Sequence, residues 1–73
     1  MIIKIGDTII WNGTFGYDDP KTAKIIYLEL CKNKHDKYGV PVEFISIKDK
    51  NRAIFNLDNG YWAYGSQIEI IQD

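Results

Sequence analysis

Residues 52–71, in the last third of the chain, constrain its fold more than any other segment of the sequence. Two short runs rich in β-branched and aromatic residues, 53–57 and 61–64, flank the dipeptide Asn59-Gly60. Asn-Gly tolerates the positive φ angles that the tight turns of β-hairpins require. The sequence therefore predicts a hairpin with Asn59 and Gly60 as its two loop residues.

A two-residue loop determines the register of this hairpin, because pairing across such a turn leaves no freedom. Phe55 then faces Tyr64, and Leu57 faces Trp62, so these four side chains share one face of the ribbon. We predict that this face is buried in the core. The opposite face carries the other set: Asn56, Asp58, Tyr61 and Ala63.

The first strand is predicted over residues 3–11, with Ile5, Ile9 and Trp11 pointing inward. Residues 12–22 follow as a loop, since they are rich in Gly, Asp and other turn-forming residues.

Residues 22–32 fit two interpretations. Asp19-Pro20 is a suitable helix start, and Ile25 and Leu28 lie at helical spacing. However, the β-branched pair Ile25-Ile26 and the following Tyr27 favour a strand, which is the interpretation we adopt. Apolar residues occur at both odd and even positions of this run, which predicts a β-bulge near Ile26-Tyr27.

The remaining segments complete an all-β chain. Residues 40–47 are extended, and Pro41, which lacks a backbone donor, makes them an edge strand or the start of a strand. Residues 65–67 are predicted to form a single 3₁₀ turn before a closing strand at 68–71. Five to six short antiparallel strands in meander order predict a curled sheet that closes into a small barrel, as one domain over residues 1–73.

Composition narrows the function classes. The net charge of −1 is too small for a domain that holds nucleic acid mainly through phosphates, although residues 21–37 sum to +3 and residues 48–52 to +2. A single cysteine and the absence of an apolar run long enough for a signal peptide or a membrane span predict a cytoplasmic protein without membrane contact.

The inventory of reactive side chains does not favour an enzyme. The lone His35 lies in a lysine-rich turn without a nucleophile placed to act with it, and Cys31 is expected to be a small buried apolar residue. Asp18-Asp19 before a proline is more typical of a turn than of a metal site. We therefore predict no catalysis, no metal and no cofactor.

Loops at one end of the predicted barrel form the candidate binding site. In an antiparallel meander, the 12–22 loop, the 48–51 turn and the 65–67 turn meet at the same end. Aromatic faces beside cations suit either a protein hot spot or a stacked nucleotide, while the alternative is that the two loop aromatics cover a small core. The candidate binding residues are Phe15, Tyr17, Lys48, Lys50, Arg52, Tyr64 and Gln67.

The segments Ile5-Gly6-Asp7-Thr8-Ile9, Leu57-Asp58-Asn59-Gly60-Tyr61-Trp62 and Gly65-Ser66-Gln67-Ile68 resemble those of Src-homology-3-like small barrels. The chain is also similar to small uncharacterised proteins of phages and their bacterial hosts that end in an Asp-Asn-Gly, Trp-Ala-Tyr, Gln-Ile pattern. Polyproline binding is not implied, because the Ala-Leu-Tyr-Asp-Tyr-like strand and the Trp-Trp pair of peptide-binding members are missing.

Three hypotheses follow. The near-neutral charge, the aromatic loop and the absence of catalytic groups favour a non-catalytic, phage- or mobile-element-encoded inhibitor or adaptor that binds a bacterial host protein. The resemblance implies a host defence protein as one example of such a partner. The second hypothesis is binding or sequestration of a nucleotide or a single-stranded nucleic acid through the aromatic and basic loops. The third is self-association through the exposed strand edge near Pro41.

Overall fold

The computed structural model describes residues 1–11 and 19–71, and the chain is all-β as predicted. Two 3₁₀ helices, Ile47–Arg52 and Gly65–Gln67, precede β6 and β8, and the second confirms the predicted 3₁₀ turn. The described residues form eight strands: β1 (Ile2–Lys4), β2 (Thr8–Trp11), β3 (Lys21–Leu30), β4 (Val40–Pro41), β5 (Phe44–Ser46), β6 (Ala53–Leu57), β7 (Trp62–Tyr64) and β8 (Ile68–Ile70).

All strand pairs are antiparallel. The main sheet has the order β7-β6-β3-β2-β8, with β4 beside the end of β3, while β1 and β5 form a separate two-stranded ribbon. No pairing joins β7 to β8 in the described residues, so the sheet is open there rather than closed into the predicted barrel.

None of the helices found in residues 1–11 and 19–71 is long and apolar enough to cross a membrane.

Strand β3 is the centre of the sheet, which confirms the strand interpretation of this segment over the helical one. Its first half pairs with β2 and its second half with β6. The register shifts between Ile25 and Tyr27, which confirms the predicted bulge. The extra residue at the bulge shifts the alternation of inward and outward side chains by one position. Ala23 and Ile25 therefore point into the core before the bulge, and Leu28 points into it afterwards.

The predicted first strand is divided in two. After β1, a turn stabilised by the hydrogen bond from Asp7 N–H to the Lys4 carbonyl oxygen (3.1 Å) reverses the chain into β2. Ile3 and Ile9 are buried, whereas Ile5 lies in the turn and is 40% exposed. The prediction of Ile5 as an inward residue was therefore wrong.

The register of the β6–β7 hairpin differs from the prediction by one residue. Asn56 pairs with Trp62 and Phe55 with Ala63, which makes the loop three residues long, 58–60. The Gly60 N–H donates to the Leu57 carbonyl oxygen (3.3 Å), and Gly60 has a φ of +87°. In hairpins with a three-residue loop, the last loop residue usually has a left-handed conformation, which glycine adopts readily.

Asp58 explains why the longer loop is preferred. Its backbone N–H donates to the Lys24 carbonyl oxygen (2.9 Å), and its carboxylate accepts from the Lys24 N–H (3.0 Å). Asp58 therefore bonds to β3 rather than pairing with Tyr61. As a result, Ala63 is fully buried, Trp62 is 55% exposed and Tyr64 is half-buried on the outer face, so the prediction of Trp62 and Tyr64 in the core was wrong.

Twelve buried side chains form the core beneath both sheets. Phe55, Leu28 and Leu57 lie near its centre, each at most 1% exposed. The members are Ile3, Ile9, Trp11, Ala23, Ile25, Leu28, Ile45, Ala53, Phe55, Leu57, Ala63 and Ile68.

Asp7→Asn should lower stability at neutral pH but not in strong acid. The Lys4 ammonium, which donates to the Asp7 carboxylate (2.9 Å), lowers the pKa of Asp7 below its usual value. The charged Asp7 side chain therefore stabilises the fold at pH values above its pKa in the unfolded chain, about 4. This stabilisation is lost as the pH falls through the lower pKa of Asp7 in the folded protein. We expect a loss of about 0.5–1 kcal/mol near neutral pH.

Urea unfolding of the wild type and the variant across a pH series measures this difference. Glu69→Gln, at an exposed carboxylate of β8, is the matched control and should leave stability unchanged. A difference between Asp7→Asn and the wild type that persists undiminished in strong acid would contradict the role given to the charge.

Candidate functional site

The outer face of β3, β6 and β7, opposite the core, carries two rows of side chains. One row runs Tyr27, Asn56, Trp62 across the three strands, and the next runs Glu29, Ile54, Tyr64. The hairpin register puts Trp62 and Tyr64 on this face, because neighbouring residues of a strand point to opposite sides. Three aromatic rings therefore stand on a rigid sheet.

Residues 32–39 fold over one side of this face and form a groove of about 340 Å³. Ile54 lies at its floor and is buried, although it is outside the core cluster. Trp62 is 55% exposed and Tyr38 is 84% exposed. We call this site the aromatic groove; it is lined by Tyr27, Glu29, Lys37, Tyr38, Ile54, Asn56 and Trp62.

Tyr64 holds the groove together. Its ring lies edge-on to Trp62, with 5.1 Å between ring centroids and 89° between planes. It also contacts the His35 ring at 4.9 Å, and its hydroxyl donates to the His35 carbonyl oxygen (3.4 Å). Tyr64 was predicted as a binding residue, and it lies at the groove as a half-buried support for Trp62 and for residues 32–39.

The predicted basic residues lie on the first 3₁₀ helix. Arg52 is engaged within the protein, since its guanidinium donates to the Asp49 carboxylate (2.7 Å) and reaches the carbonyl oxygens of Cys31 and Lys32, both at 3.5 Å. Lys48 and Lys50 form no ion pair with any described residue. Arg52 therefore joins the start of segment 32–39 to the first 3₁₀ helix.

Gln67 also has a role in the fold. Its side-chain oxygen accepts from the Tyr64 N–H (2.9 Å) and caps the second 3₁₀ helix. This helix packs on the first one, as Gly65 lies against the Lys50 backbone. The 48–51 and 65–67 turns thus meet as predicted, while Phe15 and Tyr17 lie outside the described residues.

Positive charge borders the aromatic groove. Segment 32–39 carries Lys32, Lys34 and Lys37 against one acid, Asp36, a sum of +2 with His35 neutral. The Asp36 carboxylate accepts from the Asn33 N–H (2.9 Å) within the segment. The three lysines form no ion pair within the described residues, so their charges face solvent.

A second surface lies on the β1–β5 ribbon. Ile2 and Phe44 are 58% and 60% exposed and lie on the same face of this ribbon. Lys4 and Glu43 stand at the rim of the same surface. We call it the apolar ribbon; it bounds a groove of about 490 Å³ lined by Ile2, Lys4, Ile5, Glu43 and Phe44.

The described residues contain few side chains suited to holding a metal ion or acting as a nucleophile. They contain no group of three or more His, Cys, Asp or Glu side chains close enough to hold a metal ion. Cys31 is 3% exposed, as predicted, and burial, together with the Asp36 and Glu29 carboxylates, raises the pKa of its thiol. A thiol of raised pKa is a poor nucleophile.

Sequence reasoning missed both surfaces. The signal for Trp62 was the triplet Asp58-Asn59-Gly60, which fits a three-residue loop with glycine at its last position. The signal for the apolar ribbon was the run Ile2-Ile3-Lys4-Ile5, whose apolar residues occupy both faces of an extended chain.

Comparison of the chain with protein-family models, curated proteins and solved structures found no match.

Proposed function

We propose that the chain is a non-catalytic binding module whose apolar ribbon docks a protein partner. The observation that carries this proposal is the exposure of Ile2 and Phe44 on one face of a two-stranded ribbon, where they lie diagonally across the two strands. Exposed contiguous apolar surface with a polar rim is typical of protein interaction sites. Lys4 and Glu43 would supply that rim.

The resemblance to small phage proteins directs the proposal to a bacterial host protein as the partner, and to inhibition or adaptor activity as the outcome. A Src-homology-3-like architecture, with the sheet open between β7 and β8 in the described residues, belongs to the same proposal. It is supported by the strand order, in which β8 returns from the end of the chain to pair with β2.

Affinity capture from a bacterial host lysate, with the full chain as bait, tests the proposal. Phe44→Ser should reduce the captured partner roughly ten-fold or more, since an exposed aromatic side chain at an interface centre can act as a hot spot. Trp62→Ala, which alters an exposed aromatic residue of the other surface, is the matched control and should capture the partner normally.

Both variants replace exposed side chains, so we expect them to remain folded, which circular dichroism checks. If Phe44→Ser captures every partner protein as well as the wild type does, the proposal is contradicted. Sedimentation velocity of the purified chain reports whether the ribbon instead joins two copies.

A further inference from the structure

We propose that the aromatic groove binds a nucleotide unit, a nucleobase together with its phosphate, as present in free nucleotides and in single-stranded nucleic acid. This site is separate from the apolar ribbon and shares no lining residue with it. The inference therefore does not rest on the proposed function.

The stacking surface comes from Trp62, Tyr27 and Tyr38. Trp62 and Tyr27 flank Asn56 in one cross-strand row, and Tyr38 is supplied by segment 32–39. Because Tyr64 meets Trp62 edge-to-face, the pair supports the indole while more than half of the Trp62 side chain stays open to solvent. Aromatic side chains presented in this way stack on bases of any sequence.

The groove also holds polar groups suited to a base edge. Asn56 lies between the two sheet aromatics, and Glu29 lies in the adjacent row, both half-buried. Neither side chain makes a hydrogen bond or an ion pair within the described residues. An amide both donates and accepts, and a carboxylate accepts, so together they match the amino and carbonyl groups of a nucleobase.

Lys37 supplies the phosphate contact. It lines the same groove, and Lys32 and Lys34 lie on the same segment without an ion pair in the described part of the chain. The volume of about 340 Å³ falls in the range of small-ligand sites. An acidic peptide would also satisfy the lysines, but it would leave the stacking row and Asn56 unused.

Isothermal titration calorimetry of the full chain with nucleoside 5′-monophosphates and with short single-stranded oligonucleotides tests the proposal. NMR of the Trp62 indole N–H reports the site. Trp62→Ala should weaken binding roughly ten-fold or more, because it removes a stacked ring. Phe44→Ser, on the apolar ribbon, is the control and should bind like the wild type.

Lys37→Gln separates the phosphate contact from stacking. It should weaken the binding of monophosphates several-fold but leave binding of the corresponding nucleosides unchanged. With oligonucleotides, the slope of log affinity against log salt should fall by about 0.7 on losing one contact. Tyr38→Ala, at a residue 84% exposed, provides a second stacking variant with little risk of unfolding.

Two outcomes identify the source of the ligand: equal affinity for monophosphates and oligonucleotides assigns the groove to free nucleotides, and tighter, more salt-sensitive binding of oligonucleotides assigns it to single strands. No heat and no Trp62 shift at low salt and millimolar ligand would overturn the proposal. Binding of an oligoglutamate peptide as tightly as the nucleotides, unaffected by Trp62→Ala, would overturn it as well.

Discussion

Gly65→Ala is expected to lower the free energy of unfolding by about 3 kcal/mol. Gly65 starts the second 3₁₀ helix at the point where it packs on the first, and a Cβ added there would overlap the backbone carbonyl group of Lys50. Backbone atoms cannot swing aside as the end of a flexible side chain can, so the two helices must separate. Their separation would also disturb Tyr64, which precedes Gly65 and supports Trp62.

The matched control is Gly60→Ala, which isolates the effect of backbone angle from that of space. Gly60 has a φ of +87° but no heavy atom within 4 Å of an added Cβ. We expect a loss of about 1–2 kcal/mol, the cost of a left-handed residue with a side chain. Urea unfolding followed by circular dichroism measures both variants, and equal losses would contradict the packing of Gly65 on Lys50.

Phe55→Ala should lower the free energy of unfolding by about 3–5 kcal/mol. Phe55 is fully buried and pairs across the hairpin with Ala63, a small residue that leaves room for its ring. At roughly 0.05–0.15 kcal/mol per residue, a chain of 73 residues has a free energy of unfolding of about 4–11 kcal/mol, so this loss removes a large part of it. We expect the variant to unfold at a markedly lower urea concentration than the wild type.

Phe44→Ala is the control for Phe55→Ala, since the two residues are both phenylalanines in strands and differ in burial. Phe44 is 60% exposed, so its replacement should change stability by about 0.5 kcal/mol or less. Thermal unfolding of the pair measures the contrast. A comparable loss in both variants would contradict the difference in burial between Phe55 and Phe44.

Local patterns were sufficient for β3, β6, the bulge and the second 3₁₀ helix, but not for the turn that divides the predicted first strand into β1 and β2. β-Branched runs placed β3 and β6, mixed parity around Ile26 located the bulge, and the spacing of Gly65 and Ile68 located the second 3₁₀ helix. These features depend on interactions between residues close in the sequence, or on the preference of side chains for one side of a strand.

The register of the hairpin could not be decided in this way. The segment around Asn59-Gly60 fits a two-residue and a three-residue loop, and each puts a different set of aromatics inside. The choice depends on the hydrogen bonds between Asp58 and Lys24, which are 34 residues apart. Ala63, rather than Trp62, then fills the limited space beside Phe55.

The aromatic groove has the same non-local origin. Tyr27, Tyr38 and Trp62 are far apart in the sequence and meet only because β3 pairs with β6 and segment 32–39 folds over the sheet. The predicted binding end was partly correct, because its two turns do pack together. However, the prediction assigned Arg52 and Gln67 to ligand binding, whereas their polar groups form hydrogen bonds within the fold.

Acrylamide quenching of tryptophan fluorescence tests most directly whether the hairpin turns Trp62 outward. The wild type should show two populations, an accessible Trp62 and a protected Trp11, which is 8% exposed. Trp62→Phe, which retains an aromatic ring, should lose the accessible population and keep the protected one. If Trp62→Phe instead loses a protected population, Trp62 is buried, and both the three-residue loop and the aromatic groove are wrong.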